Sequence, residues 1–186
     1  MPRGRRRRAL DDALADEGNR REPSVQIELA ESLISDGQLV RARELAAEAL
    51  QQCRSSGRRM AEASALNVIG RVFLLDGDPE ESSGRHLEAL AIAETGSYVS
   101  VRVDAMIGLA TAARRMGDTT AAESYAYQAM QIAATHEYEV HRCRALLVLA
   151  GLAEDDRRPA DARRFGRLAS ESRGRIGYQP LLALAS

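Results

Sequence analysis

Apolar positions in the stretch from Leu66 to Phe73 return at helical spacing. Leu66, Ile69, Gly70 and Phe73 stand at i, i+3, i+4 and i+7, one face of a helix. The run Asp76-Gly77-Asp78-Pro79 then breaks the pattern. Gly77 suits the left-handed residue just past a helix end. Asp78 can cap the helix that follows, Pro79 suits its first turn, and Glu81 sits where a capping box wants an acid. A second helix is predicted from Pro79 to Glu94, with His86, Ala89 and Leu90 turned inward, and Thr95-Gly96-Ser97 closes the unit. The same two-helix pattern returns elsewhere, punctuated by Asp36-Gly37, Ser55-Ser56-Gly57, Gly117-Asp118, Thr135-His136 and the run from Asp156 to Pro159.

The units share a register of 40 residues. Leu29-Ala30, Ile69-Gly70, Leu109-Ala110 and Leu149-Ala150 each pair an aliphatic residue with a very small one. Ala42, Ser82, Ala122 and Ala162 form a second column; Ala49, Ala89, Ala129 and Ala169 form a third. Gly37, Gly77 and Gly117 form a fourth, which Arg157 breaks. Small residues in register have a physical cause: where two helices cross closely, one must present Ala, Gly or Ser for the axes to approach within roughly 8–10 Å. A bulky residue at Ala122 or Gly70 would overpack the crossing, at a cost of about 1–3 kcal/mol. Four repeats follow, at about 23–57, 58–97, 98–137 and 138–177. Residues 1–22 read as a basic tail with an orphan half-repeat helix over 5–18, since Ala9-Leu10 precedes Ala49-Leu50 by one period. Residues 178–186 read as the start of a truncated fifth repeat. Leu181, Leu182 and Leu184 are not the polar cap with which arrays end. This predicts a piece cut from a longer array, with end-to-end self-association through its open ends.

These columns resemble those of the tetratricopeptide repeat, which places an aliphatic-then-small pair in its first helix and small residues at two sites in its second, as Ile69-Gly70, Ser82 and Ala89 do here. The resemblance runs from residue 24 to about 175. The usual family period is about 34 residues, so 40 resembles the longer-helix variant. Gln26, Leu66, Met106 and Leu146 occupy the family's Trp column, and the closing Pro is absent. HEAT and armadillo arrays, with periods of about 40, are the alternative; the spacing between the small columns favours the tetratricopeptide reading. The resemblance implies an all-α, right-handed superhelical solenoid of tandem helix-turn-helix repeats. It also implies a concave face lined by the first helices, where a protein or peptide partner binds. On that face stand Ile27, Glu31 and Ile34; Asn67, Arg71 and Leu74; Ile107, Thr111, Arg114 and Arg115; and Leu147, Gly151 and Glu154. Its middle is basic, through Arg71 and Arg114, and its ends acidic, through Glu31, Glu154 and Asp155. The implied ligand is a peptide or helix with an acidic group over the middle, because the Arg fork binds carboxylates bidentately. The chaperone-binding subset of the family uses a clamp rich in Lys and Asn; with Asn67 alone and no Lys, that role is unsupported.

The Ala-, Leu- and Arg-rich style, with its Gly-Asp turn and the segment Ala89 to Ala93, is also similar to the repeat arrays of bacterial LuxR-type and antibiotic-regulatory (SARP-type) activators. That similarity implies the sensing part of a transcriptional regulator. A free-standing adaptor is the alternative, and an enzyme a remote one.

Composition narrows the picture further. Hydrophobic residues make up 45% of the chain, enough for a core, while aromatics are only 4%, against extensive sheet. The formal net charge is −1, and all basic residues are Arg. The seven Arg of residues 157–175, against Asp161 and Glu171, read as solvated outer surface rather than a phosphate track, for they form no series with base-stacking aromatics. The run Arg5 to Arg8 is short and followed by acids, so no direct nucleic-acid binding is expected. No apolar stretch has the length of a membrane span, and Asp11, Asp12 and Asp16 interrupt any signal-peptide core. No membrane partner is expected, and a cytoplasmic location is. His136, His141 and Cys143 match no zinc spacing, and Cys53 and Cys143 make no disulfide framework. There is no phosphate-binding glycine loop, Gly-x-Ser-x-Gly or His-Glu-x-x-His. The sequence therefore predicts no cofactor, metal or catalytic residue. Tyr98, Tyr138 and Tyr178 recur in the turns between repeats, where they are expected to pack each turn onto the next helix.

Overall fold

The structure is a computed structural model that describes residues 22–176. The described residues form eight helices and no strand: α1 (Pro23–Ser35), α2 (Leu39–Ser56), α3 (Arg59–Leu75), α4 (Pro79–Thr95), α5 (Val99–Met116), α6 (Thr119–Thr135), α7 (Glu139–Asp155) and α8 (Pro159–Ile176). The expected orphan helix, the run Arg5 to Arg8, Tyr178 and the start of a fifth repeat lie outside the described residues.

Every connection between these helices is built alike. The residues at 37, 57, 77, 97, 117, 137 and 157 all have positive φ. One residue further on, the backbone N–H reaches back to the carbonyl five positions earlier: Gln38 to Leu33, Arg58 to Cys53, Asp78 to Phe73, Tyr98 to Ala93, Asp118 to Ala113, Tyr138 to Ala133 and Arg158 to Ala153, at 2.7–3.0 Å. This is the Schellman stop, which satisfies carbonyls that a helix end would leave orphaned. The same residue then serves as N-cap of the next helix. Asp78 accepts from the Glu81 N–H at 3.1 Å, and Asp118 from the Ala121 N–H at 2.9 Å. The reciprocal half of the capping box does not form, because the Glu81 carboxylate pairs with Arg85 instead.

Glycine fills the left-handed position at 37, 57, 77 and 117; Ser97, Glu137 and Arg157 fill it elsewhere. Arg157 thus adopts the backbone of the glycine column that it interrupts. Gly96 does not take the left-handed position between the second and third repeats; Ser97 does, at φ +55°. A Cβ at Gly96 would lie 2.2 Å from the Tyr98 ring, so its bareness leaves room for that ring. Tyr98 and Tyr138 both pack on the cores beneath their turns.

Each helix lies against the next in sequence, and each first helix also lies against the first helix of the next repeat: α1 on α3, α3 on α5, α5 on α7. The second helices approach one another less closely. Closer spacing on one side curves the array toward that side, so α1, α3, α5 and α7 form the inner layer. The fold is an all-α helical-repeat solenoid. Its core is a chain of interfaces, with Ala42, Ala46, Ala49, Ala122, Ala126 and Ala129 fully buried where helices cross.

Candidate functional site

The inner layer sorts the expected groove residues by burial. Glu31, Arg115 and Glu154 are exposed; Arg71, Leu74, Thr111, Arg114 and Leu147 are half-buried. Ile27, Ile34, Asn67 and Ile107 are buried, 3–8% exposed, so they are not open contact residues. The reason is the packing of first helix on first helix. A face free on an isolated pair of helices is covered by the next repeat, and Ile27 and Ile34 join the core shared with Val68, Ile69 and Val72. Asn67 donates through Nδ2 to the Val101 carbonyl at 3.1 Å, bridging α3 to α5. Gly151 is buried as well: the Arg114 guanidinium lies across it, and a Cβ there would come within 2.4 Å of Nη1.

The basic middle and acidic ends resolve into pairs between neighbouring first helices. Arg71 meets Glu31 at 2.6 Å. Arg114 holds Asp155 with two bonds, at 2.6 and 3.2 Å. The hydrogen bond from Arg114 keeps the Asp155 carboxyl below the usual range. Arg144 pairs with Asp104, and His141 Nε2 lies 3.4 Å from the same carboxylate. Burial alone would raise the Asp104 carboxyl, but Arg144 and His141 outweigh it and hold it well below its ordinary value.

One cavity of about 250 Å³ opens across all four first helices. Glu31 of α1, Asn67 and Arg71 of α3, Asp104 of α5 and Arg144 of α7 line it, with Ile27 in its wall. His86 lines it too, although His86 belongs to α4 in the outer layer. Its imidazole passes between α3 and α5. A Cβ at Gly70 would lie 2.7 Å from Nε2, and one at Gly108 only 2.2 Å. The ring fits because both positions are bare. His86 Nδ1 lies 2.9 Å from Asn67 Oδ1. Since Asn67 donates through its nitrogen to Val101, its oxygen must accept here, so the proton sits on Nδ1 and Nε2 carries a lone pair. Burial, reinforced by the Arg71 charge, pushes His86 down to about 3, so the ring is neutral. Nε2 of His86 and Nε of Arg71 are both buried and meet no hydrogen-bond partner among the described residues.

Helical periodicity places His86 in a packing column and does not connect it with Asp104 or Arg144. A signal was available: Ala46, Ala126 and Gly166 occupy the same position in the other repeats, and Asn67 interrupts the apolar column of Ile27, Ile107 and Leu147.

The soft ligands do not converge. His136 stacks on Tyr138 at 5.6 Å, His141 faces Asp104, and Cys143 lies against the Ala169 carbonyl. Among the described residues no group of three or more His, Cys, Asp or Glu side chains is placed to hold a metal ion. Burial pushes both the Cys53 and Cys143 thiols up, away from the reactive thiolate. No helix among the described residues is long and apolar enough to cross a membrane.

Residues 22–95, which hold α1 to α4, match the tetratricopeptide repeat family. Two crystal structures are similar to the chain over most of its length. Both are of nearly identical TPR-like repeats of a candidate kinesin light chain from Podosopora anserina, one of them a point variant of the other. Each is 18% identical and covers 83% of this chain and 76% of its own, with TM-scores of 0.59 for the variant and 0.56 for its parent. At that identity the likeness concerns the fold. No curated protein matches the chain.

Proposed function

We propose that the chain binds an extended peptide or helix of a partner protein along its inner layer, and that it does so as the sensing part of a bacterial transcriptional regulator. The observation that carries the binding reading is the cavity that spans all four first helices, lined by Glu31, Arg71, Asp104 and Arg144 beside Ile27 and Met60. A groove that mixes apolar patches with convergent polar groups is the usual form of a recognition site. The regulator reading is supported by the repeat style, rich in Ala, Leu and Arg with its Gly-Asp turns.

The test is partner capture by purified protein carrying Arg71→Ala and Arg114→Ala together. Glu31 and Asp155, the acids left behind, are 50% and 54% exposed, so their loss of partners costs little. The double variant is expected to keep wild-type circular dichroism and to melt within a few degrees of wild type, while capture of the natural partner weakens at least tenfold. Undiminished capture would move the site to the outer layer or the turns.

A further inference from the structure

Most arginines of the described residues have a carboxylate partner. Arg54, Arg71, Arg85, Arg114, Arg144 and Arg158 each hold at least one. The outer face of α8 departs from this habit. Arg163, Arg164 and Arg167 are exposed there, and among the described residues none of them meets an acid. Acids close by are already taken: Arg158 holds Glu123 of α6, Asp156 and Asp161. Arg163 and Arg164 lie one turn before Arg167, a spacing at which like charges repel. An anionic partner would relieve that repulsion.

Beside the cluster stands an exposed ring. Tyr127 of α6 is 37% exposed, and its ring meets that of buried Phe165 edge to face, with centroids 6.0 Å apart. Phe165 follows Arg164 in the chain, so the contact holds Tyr127 at the seam of α6 and α8, next to the arginines. The earlier repeats have nothing alike: Ala47 and Leu87 stand in the column of Tyr127 and Arg167, and Glu44, Gly84 and Ser124 in that of Arg164. Tyr and Arg are among the side chains on which protein interfaces concentrate their binding energy.

The surroundings choose among anionic partners. From Arg163 to Arg167 the cluster covers only about 6 Å of helix. A nucleic-acid duplex carries a charge every ~1.7 Å, and one following α8 would run onto Glu171 on one side and Asp156 and Asp161 on the other. An anionic membrane laid on the outer layer would also meet α4, where exposed Glu80, Glu81, Glu88 and Glu94 outnumber Arg85. A short acidic protein segment matches the length of the cluster, and an apolar residue within it has Tyr127 to lie on.

We propose that the outer face of α8, together with Tyr127, docks a short acidic segment of a partner protein in which carboxylates flank an apolar residue. This face lies on the layer opposite the groove and acts independently of it. The probe is a fluorescein-labelled peptide of repeating Glu-Glu-Leu, titrated with the full chain and followed by fluorescence anisotropy. At about 50 mM salt half-saturation is expected below about 1 mM, weakening several-fold at about 200 mM salt. Arg163→Gln, Arg164→Gln and Arg167→Gln together are expected to weaken binding about tenfold or more, with melting at or above that of wild type, since repulsion between exposed groups is removed. Arg41→Gln with Arg43→Gln and Arg85→Gln removes as much charge elsewhere on the outer layer, and Arg71→Ala with Arg114→Ala removes it from the groove. Both variants are expected to bind the probe within about threefold of wild type. A Gln-Gln-Leu peptide is expected not to bind, and an all-Glu peptide to bind several-fold more weakly. Half-saturation above about 1 mM, equal loss in all three variants, or equal binding of the all-Glu peptide overturns the proposal. Tighter binding of duplex DNA or phosphatidylserine vesicles than of the peptide overturns it too, and gives the face to nucleic acid or lipid. Loss confined to the groove variant would place the probe in the groove, so that the outer face fails while the groove reading stands.

Discussion

Arg157 holds its backbone at φ +56°, Glu137 at +57° and Ser97 at +55°. For an L-residue the left-handed region costs about 1–2 kcal/mol. Glycine avoids that cost but loses roughly 0.5–1 kcal/mol more conformational entropy on folding. Arg157→Gly, Glu137→Gly and Ser97→Gly are each expected to raise stability by about 0.5–1 kcal/mol, read as a higher urea midpoint at unchanged slope. A lower midpoint in all three would mean that their side chains contribute more than their backbones cost. His86 makes a second prediction at this scale. Its folded pKa lies near 3 and its unfolded value near 6.5, so between those limits the unfolded chain binds a proton that the folded chain refuses. Stability is therefore full above about pH 6.5 and falls as the pH drops. By pH 4 the loss reaches roughly 3 kcal/mol, at about 1.4 kcal/mol per unit. The charged groups that face the ring are Arg71 from α3, Asp104 from α5 and Arg144 from α7. Asp104 stays ionised throughout this window, since its carboxyl is held well below its ordinary range. His86→Ala is expected to flatten the curve of stability against pH between 6.5 and 4; an equal slope in both proteins would show that His86 is not held neutral.

Between elements, the contact that matters most is the passage of the His86 ring from α4 between α3 and α5. Gly108→Ala would bring a Cβ to 2.2 Å from Nε2, forcing the ring or the helix to shift at a cost of about 1–3 kcal/mol. His86→Ala removes the obstacle and restores the alanine that Ala46 and Ala126 supply in their repeats. The cycle of the two variants should therefore show a coupling of about 1 kcal/mol or more, the double variant being more stable than the sum of its parts predicts. Additive effects would mean that ring and glycine do not meet. The same contact marks the limit of what the chain discloses when read as a string. The helices and most turns were legible, because apolar spacing, Gly77, Gly117, Asp78 and Asp118 act within a few residues of themselves. The left-handed Ser97 beside Gly96 was not, since a local reading gives that conformation to the glycine; the Tyr98 ring reverses the choice. The burial of Ile27, Ile34 and Ile107 was missed for a related reason: helix periodicity tells which residues share a face, but not that the next repeat covers it. The cavity was hidden most deeply, because it joins side chains of five helices.

The whole molecule is held by neighbours. Each helix meets the one before, the one after and, in the inner layer, the next first helix. Ion pairs such as Arg71 with Glu31, Arg54 with Glu88 and Arg114 with Asp155 also join adjacent repeats. A structure of this kind has stability close to a sum of repeat and interface contributions, so weakening one interface should uncouple the two sides. Gly108→Ala, placed at the middle junction, is expected to split urea unfolding followed by amide exchange into separate midpoints for α1–α4 and α5–α8. A single shared midpoint in the variant would show that the array unfolds as one block.

The route of His86 between Gly70 and Gly108 also gives the repeats a fixed order. By column alone, four such units would be free to be shuffled, duplicated or replaced by a consensus copy. The second must be followed by the third, because only the third carries glycine where the ring tip passes; Glu28, Val68 and Val148 stand there in the others. Placing the fourth unit there instead would set Val148 in the gap and shut the imidazole out of the inner face. In this array a repeat is defined as much by its successor as by its own residues.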